Sequence, residues 1–164
     1  RRGTGDDPVR RPASTYVIPY KPHGSQWHPI VRFGLQANGR IVQATAYVDS
    51  GAAYSIFAPA CAARLGLDYR RGRLIRPRVA DGRTIAVYLH RLKVLLGQHS
   101  FPATVGFSDQ LGVGFNVLGR KDIFRRLSFT FNDYYQVLVI RDARDVSPEL
   151  LSHVPPPTKL RAPS

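Results

Sequence analysis

The sequence contains one cysteine, no methionine and no long apolar run, and each of these shortages limits what the chain can be. Cys61 has no second cysteine to pair with, so an internal disulfide is excluded. No apolar segment approaches the ~20 residues of a membrane-spanning helix, and residues 1–11 lack the hydrophobic segment of a secretory signal. We therefore expect no membrane segment in this chain and a cytoplasmic location. The lack of methionine predicts a processed or trimmed product.

Acidic residues are scarce as well. Lys and Arg number 24 against 11 Asp and Glu, which gives a formal net charge of +13, and the densest basic segment is residues 70–83. Clustered arginines bind phosphates, so one interpretation of this segment is a nucleic-acid surface. A second is a surface that attracts acidic peptide substrates. We favour a third, a solvated arginine-biased surface, because the aromatic and basic motifs of RNA-binding modules are absent.

The length of 164 residues and the apolar content of 43% favour a single globular domain. Residues 1–15 are basic and polar and are predicted to form a flexible arm. The folded domain is predicted to extend over residues 16–140. Residues 141–164 are charged and then Pro-rich, and we expect this tail to be disordered.

Short apolar segments separated by turn residues run through the predicted domain. Asn38-Gly39 and Asp81-Gly82 each stand between two such segments, and both dipeptides are typical of tight β-hairpins. Two further hairpins are predicted near Gly97 and Asn132, residues 21–26 are predicted to be a loop, and short helices are predicted at residues 59–65 and 120–127. Many short strands with few small helices indicate an all-β, closed barrel-like domain.

Asp49 directly follows the apolar segment 44–48 and begins the tetrapeptide Asp49-Ser50-Gly51-Ala52. A carboxylate at the end of a buried strand needs a partner or a proton, because burial of a lone charge is costly. The three small residues that follow suit a tight turn that holds the carboxylate rigidly. The tetrapeptide alone is equally compatible with an ordinary strand-to-turn corner that contains a hydrogen-bonded Asp.

A second segment, Asn116-Val117-Leu118-Gly119-Arg120, lies about seventy residues further along the chain. Together the two segments resemble the retropepsins, the single-domain aspartic proteases of retroviruses and their cellular and bacterial relatives. The resemblance extends over residues 30–132. It implies the acid protease fold, a closed β-barrel with one or two short helices, and hydrolysis of peptide bonds without a metal or other cofactor.

The resemblance also implies roles for individual residues. Asp49 is the expected catalytic carboxylate, and it would meet Asp49 of a second copy across the two-fold axis of a homodimer. Ser50, Gly51 and Ala52 would support the active-site loop, with the Ser50 hydroxyl reaching toward the partner's loop. Structural support behind the loop would come from Leu118, Gly119 and Arg120. An ion pair is the expected role of the Arg120 side chain.

Members of the family cover the substrate with a glycine-containing hairpin, the flap. The hairpin of this chain that matches the flap in position contains Val79, Ala80, Asp81 and Gly82. A plain Asp-Gly hairpin is the alternative. A peptide or protein substrate would bind below the flap as an extended strand. Because the flap is rich in arginine, we hypothesise acidic substrate side chains near the cleaved bond.

The sequence therefore predicts a homodimeric aspartic endopeptidase. The first alternative is a catalytically silent protein of the same fold that binds peptides or serves for dimerisation. The second is a basic β-barrel that binds nucleic acid, which leaves the Asp49 turn unexplained.

Overall fold

The computed structural model describes residues 15–79, 81–112 and 114–152. Twelve strands alternate with two short α-helices and one 3-10 turn, Tyr69–Arg71, in this part of the chain. The strands are β1 (Tyr16–Pro19), β2 (Lys21–His23), β3 (Gln26–His28), β4 (Ile30–Ala37), β5 (Arg40–Val48), β6 (Ser55–Phe57), β7 (Arg73–Ile75), β8 (Val87–Leu96), β9 (His99–Phe107), β10 (Asn116–Leu118), β11 (Leu127–Asn132) and β12 (Val137–Asp142). The helices are α1 (Pro59–Arg64) and α2 (Pro148–Ser152).

Six strands close into a barrel in the order β4, β5, β10, β6, β9, β8, and β8 pairs with β4 to complete the ring. Strand β7 adds to β8 outside the ring. Most neighbours are antiparallel, whereas β10 with β5 and β6 with β9 are parallel pairs. The predicted all-β closed barrel with short helices is confirmed.

The hairpin of β4 and β5 shows how local sequence sets the register. Asn38 and Gly39 both have positive φ, 50° and 70°, and Ala37 pairs with Arg40 across the turn. Two residues in the left-handed region give a turn whose twist matches that of the strands. The turn therefore fixes which residues of β5 point into the barrel.

Alternate residues of β5 are buried, namely Val42, Ala44, Ala46 and Val48. They pack in the main core with aromatic residues such as Phe33, Phe57 and Phe107, whose rings lie 5.5 to 6.3 Å apart. Complete burial of such aliphatic and aromatic side chains stabilises a fold by roughly 1.5–3 kcal/mol each. The buried strand ends at Val48, so the core fixes the position from which Asp49 emerges.

A three-stranded sheet in the order β1, β12, β11 and a small hairpin of β2 with β3 complete the strands. The hairpin occupies residues predicted to be a loop, and that prediction is wrong. Its turn contains Gly24 at a φ of 62°, and its three-residue strands are too short for an alternating pattern to be recognised.

The helix predicted at residues 120–127 is also wrong, because these residues form turns. Asp122 has a φ of 63°, which interrupts any right-handed helix. Its carboxylate accepts a hydrogen bond from the Thr104 backbone N–H at 2.8 Å and contacts the Arg91 guanidinium at 3.2 Å. These contacts with β8 and β9 stabilise the turn, although the local sequence pattern favours a helix.

The second helix of the structure, α2, instead lies within residues 141–164. The domain boundaries remain predictions, and residues 1–14 and 153–164 lie outside the described part. No helix among the described residues has the length and hydropathy to cross a membrane.

Candidate active site

Asp49 is the first residue after β5, and its surroundings are set by the parallel pairing of β5 with β10. Val48 is in register with Leu118, and the Asp49 N–H donates to the Leu118 carbonyl oxygen at 3.0 Å. Asp49 and Gly119 therefore follow two paired residues of neighbouring strands. Leu118 is only 1% exposed and belongs to the main core, so the strand ends are anchored from below.

The Asp49 side chain is oriented by its own turn. Oδ1 accepts a hydrogen bond from the Gly51 N–H at 2.8 Å, and the Asp49 carbonyl oxygen accepts one from the Ala52 N–H at 3.3 Å. The other carboxylate oxygen, Oδ2, has no hydrogen-bond partner among the described residues. Asp49 is partly buried while Ser50 is exposed, so one carboxylate oxygen is held and the other is available to a ligand.

Gly119 packs against the back of residues 49–55, which are here called the Asp49 loop. A Cβ on Gly119 would overlap the Tyr54 carbonyl group and lie 2.8 Å from the Ala52 carbonyl oxygen. The Gly119 N–H donates to the Oγ of Ser55 at 3.0 Å, and Ser55 is completely buried. Only glycine allows the two backbone segments to approach this closely.

The next two residues extend the contact between the segments. The Arg120 and Lys121 N–H groups each donate at 2.9 Å, to the carbonyl oxygens of Ala52 and Ala53 respectively. Together with the bonds from Asp49 and Gly119, four hydrogen bonds join the Asp49 loop to residues 118–121. The loop is therefore held on both sides, which is the arrangement that a precisely placed carboxylate requires.

The expected ion pair of Arg120 is absent from the described part of the chain. The Arg120 side chain is exposed, and none of the ion pairs of these residues includes it. The loop that it adjoins continues with Ala53 and Tyr54, neither of which carries a carboxylate. What Arg120 contributes to the loop here is its backbone N–H.

Ser55 is the supporting residue that sequence reasoning missed. Its segment, Ser55-Ile56-Phe57, is a fully buried strand with one hydroxyl group. A hydroxyl in an otherwise apolar buried strand requires a hydrogen-bond partner, and this was the available signal. The sequence alone did not indicate that the partner is a backbone N–H 64 residues away.

Asp49 and Ser50 lie in the wall of an open cavity of about 650 Å³, here called the Asp49 cavity. Most of its large side chains are aromatic: Tyr20, Trp27, His28, Tyr47 and Phe131. Trp27 is 53% exposed and Phe131 is 39% exposed, so the cavity has an apolar rim that is open to solvent. Its volume lies within the ~300–1,000 Å³ range of small-molecule and peptide-binding clefts.

Asp133 is a second carboxylate in the wall of the Asp49 cavity. Its Oδ1 accepts a hydrogen bond from the Tyr20 hydroxyl at 2.8 Å. Burial, together with this hydrogen bond, raises the pKa of Tyr20 to about 12. The Tyr20 hydroxyl therefore remains a donor to Asp133 throughout the physiological pH range.

The structure contains the hairpin that was matched to the flap. Arg78 pairs with Thr84, the Gly82 N–H donates to the Val79 carbonyl at 2.9 Å, and Gly82 has a φ of 85°. Asp81 accepts from the Arg83 backbone and side chain at 2.9 and 2.7 Å, and these hydrogen bonds lower the pKa of the Asp81 carboxyl. Ala80 lies outside the described residues.

The hairpin and the Asp49 cavity are separate in this structure. None of the described flap residues lines the cavity. They are linked indirectly, because Val79 and Tyr54 both pack against a small core cluster of Ile56, Ile85, Val87 and Leu89. Tyr54 is also the residue whose carbonyl lies behind Gly119, so the base of the hairpin and the Asp49 loop share one support.

Three arginines of segment 70–83 are paired with acids. Arg70 contacts Asp109 at 3.4 Å, Arg71 contacts Asp68 at 3.5 Å and Arg83 contacts Asp81 at 2.7 Å. The remaining arginines of the segment have no ion-pair partner among the described residues; they are Arg73, Arg76 and Arg78. Binding of nucleic acid through this segment stays a hypothesis.

No curated protein sequence matches the chain significantly. A retropepsin-like aspartic protease from Rickettsia conorii matches with a TM-score of 0.55 at 16% identity, covering 82% of this chain and 97% of the other. The EIAV protease in complex with the inhibitor HBY-793 matches at 0.44 and 18%, covering 63% and 91%. The retroviral protease-like domain of Ddi1 from Leishmania major matches at 0.46 and 19%, covering 72% and 98%.

At 16% identity, the likeness to the Rickettsia conorii protease shows the fold alone. The sequence itself shows the family, because the aspartyl protease family model matches residues 34–119, slightly more than half of the chain. This span begins in β4 and ends at Gly119, so it contains Asp49-Ser50-Gly51-Ala52 and all of the second segment except Arg120. The chain belongs to the aspartyl protease family and has the retropepsin-like fold.

Proposed function

We propose that this protein is an aspartic endopeptidase in which Asp49 of two identical chains acts on one peptide bond. The observation that carries the proposal is the placement of the Asp49 carboxylate. One of its oxygens is held at 2.8 Å by the Gly51 N–H, and the loop is fixed by four hydrogen bonds to residues 118–121. The carboxylate lies in the wall of an open cavity, where a substrate can reach it.

The proposal of two chains is supported by the neighbour of Asp49. Gly119 occupies the matching position after the paired strand, and the carbonyl groups behind it leave no room for a side chain. The strand end beside Asp49 therefore cannot supply a second carboxylate. A two-fold symmetric dimer supplies one, because the same surface then meets itself. Ser50 is exposed in the single chain, and its hydroxyl is available to the partner's loop.

The chemistry uses two carboxylates that share one proton, since two like charges at hydrogen-bond distance cannot both be ionised. The ionised carboxylate removes a proton from a water molecule, whose oxygen attacks the peptide carbonyl carbon. The protonated carboxylate gives its proton to the carbonyl oxygen. The nitrogen then accepts the proton that was taken from water, a hydroxyl of the tetrahedral intermediate returns a proton to the other carboxylate, and the C–N bond breaks to release an amine and a carboxylic acid.

The experiment that tests this proposal is a comparison of the wild-type protein with Asp49→Asn. An amide cannot act as general base, so peptide cleavage should fall by at least about 100-fold, while the urea unfolding curve should change little. Asp145→Asn is a matched control, because it makes the same substitution at an exposed carboxylate that has no ion pair in the described residues. Its cleavage rate should equal that of the wild type.

Subunit mixing tests the dimer. If both chains contribute Asp49, a tenfold excess of Asp49→Asn over a fixed amount of wild type should lower activity by about tenfold, because most wild-type chains then have inactive partners. Unchanged activity after subunit exchange would contradict the proposal and would point to a pair within one chain, such as Asp49 with Asp133. A folded wild type that cleaves no peptide at any pH from 3 to 8 would instead favour the silent, peptide-binding alternative.

The substrate preference is proposed from the charge of the flap. Arg76 and Arg78 lie before the turn and have no acidic partner among the described residues, so acidic side chains of an extended substrate would find cations there. A peptide library cleaved by the wild type should show enrichment of Asp or Glu near the cleaved bond. A profile without that enrichment would contradict the preference and leave the catalytic proposal intact.

A further inference from the structure

A second cavity of about 430 Å³ lies away from Asp49, and its wall contains three arginines, Arg125, Arg126 and Arg144. Strand β12 connects the two cavities, because Gln136, just before the strand, lines the Asp49 cavity and Asp142, its last residue, lines the second one. Six residues of extended strand separate them by roughly 20 Å. The second cavity, here called the Arg126 cavity, is therefore distinct from the proposed active site.

Asp142 balances the charge of Arg144 in this wall. Arg144 donates to both carboxylate oxygens, from Nε at 3.0 Å and from its terminal nitrogen at 2.9 Å. These side-chain bonds, with a further bond from the Arg144 backbone N–H, hold the pKa of the Asp142 carboxyl well below its usual range. The pair is thus charged and internally neutral.

Arg125 and Arg126 are not balanced in this way. Neither has an ion-pair partner in residues 15–79, 81–112 and 114–152. The Arg126 guanidinium lies 5.9 Å from the centre of the Phe101 ring, a contact that orients the group without neutralising it. Two adjacent cations therefore line the cavity without a counter-charge.

His99 adds a hydrogen-bonding group without a partner. Its Nε2 is buried and makes no hydrogen bond with the described residues, although the His99 ring is fixed edge-on against Tyr16 at 6.1 Å. A buried polar atom left unsatisfied costs about 1–3 kcal/mol. His99 itself lines the Arg126 cavity, but its buried Nε2 is closed to a ligand there, so the ring belongs to the wall of the cavity without donating to its contents.

We propose that the Arg126 cavity binds a phosphate-type dianion carried by a small molecule or a lipid headgroup. Two guanidinium groups supply planar, charge-assisted donors that match phosphate oxygens. The cavity is larger than a single phosphate group and falls within the range of small-molecule sites, which leaves room for the rest of the carrier.

The test uses inorganic pyrophosphate as the probe and the full chain as the protein. Calorimetric titration at low salt should show binding by the wild type. The double variant Arg125→Gln/Arg126→Gln should lose at least about tenfold in affinity, because two charge-assisted contacts are removed. Arg32→Gln/Arg73→Gln removes the same charge from exposed arginines that lie outside the cavity and have no ion pair among the described residues, and it should change the affinity by less than about twofold.

An NMR measurement on the wild type makes the result independent of variant folding. Pyrophosphate should shift the side-chain resonances of His99, which lines the cavity, and leave those of His90, which does not line it, unchanged. Equal affinities of the two double variants would overturn the proposal. So would His99 resonances that do not move at saturating pyrophosphate.

Two further arms identify the source of the phosphate. The first arm measures binding to vesicles of phosphatidylcholine with phosphatidic acid, and binding by the wild type but not by Arg125→Gln/Arg126→Gln would assign a lipid headgroup. Pyrophosphate binding without vesicle binding would assign a soluble ligand.

Discussion

Asp49 and Gly119 follow two parallel strands in the same register, yet the two positions have opposite character. Asp49 is partly exposed and carries a carboxylate with one unpartnered oxygen among the described residues. Gly119 is buried and has no space for even a Cβ. The Asp49 loop carries the carboxylate of the proposed active site, whereas residues 118–121 provide the backbone that holds the loop.

This difference has a consequence for the proposed mechanism. The pair of strand ends has room for one carboxylate, because close contact with the second segment is what makes the first segment rigid. The Asp49 carboxylate is thus held rigidly, while position 119 beside it cannot carry a second carboxylate. In the proposed mechanism, the second acid of the dyad comes from a symmetric partner.

A side chain added at Gly119 should have the largest effect on the stability of the fold. In Gly119→Ala the new methyl group overlaps the Tyr54 and Ala52 carbonyl groups, so the free energy of unfolding should fall by about 3 kcal/mol or more. Urea unfolding followed by circular dichroism measures this loss. Gly114→Ala is the control, since the atoms nearest to its new Cβ lie 3.9 Å away and the stability should stay within about 0.5 kcal/mol. Equal stabilities of the two variants would show that the segments are not in close contact.

Removal of the Ser55 hydroxyl tests the hydrogen bond behind the loop. Ser55→Ala leaves the buried Gly119 N–H without its acceptor, so we expect a loss of about 1–3 kcal/mol in the free energy of unfolding. Denaturant unfolding of Ser25→Ala, an exposed serine in the β2–β3 turn, supplies the comparison and should differ from wild type by less than about 0.5 kcal/mol. A Ser55→Ala protein as stable as Ser25→Ala would contradict the role of this bond.

Asp122 anchors the turn that follows Gly119, and its contribution should depend on pH. Partial burial opposes ionisation, but the Thr104 hydrogen bonds and the Arg91 charge lower the pKa of the Asp122 carboxyl below its usual value. A carboxyl with a lowered folded-state pKa stabilises the fold above its unfolded-state pKa near 4, and this contribution is lost as pH falls through the lowered value. Wild type should therefore exceed Asp122→Asn in stability by about 1 kcal/mol at pH 6 and by progressively less below pH 4.

Urea unfolding at a series of pH values checks this expectation. Asparagine also tolerates positive φ, so the substitution changes the charge and leaves the backbone of the turn intact. A stability difference that stays constant from pH 6 to pH 2 would show that the Asp122 charge is not involved.

The sequence predicted the features that depend on neighbouring residues. Asn38-Gly39 and Asp81-Gly82 formed their turns, because the positive φ of Asn38, Gly39 and Gly82 is a local preference of these residue types. The position of Asp49 at the end of a buried strand was also readable, since alternation along β5 stops at that residue. The helix predicted at residues 120–127 failed, because the contact of Asp122 with Thr104 on β9 outweighs the local helical pattern.

By itself, the sequence determined the family, the all-β barrel and the residue that would carry the chemistry, because short motifs and alternating apolar residues are local properties. Tertiary structure alone decided that Ser55 supports Gly119, that Arg120 contributes its backbone and that three arginines share a cavity with His99. These arrangements join residues far apart in the chain. The physical reason is that close packing and hydrogen bonding of buried groups depend on the whole barrel, and no local pattern encodes them.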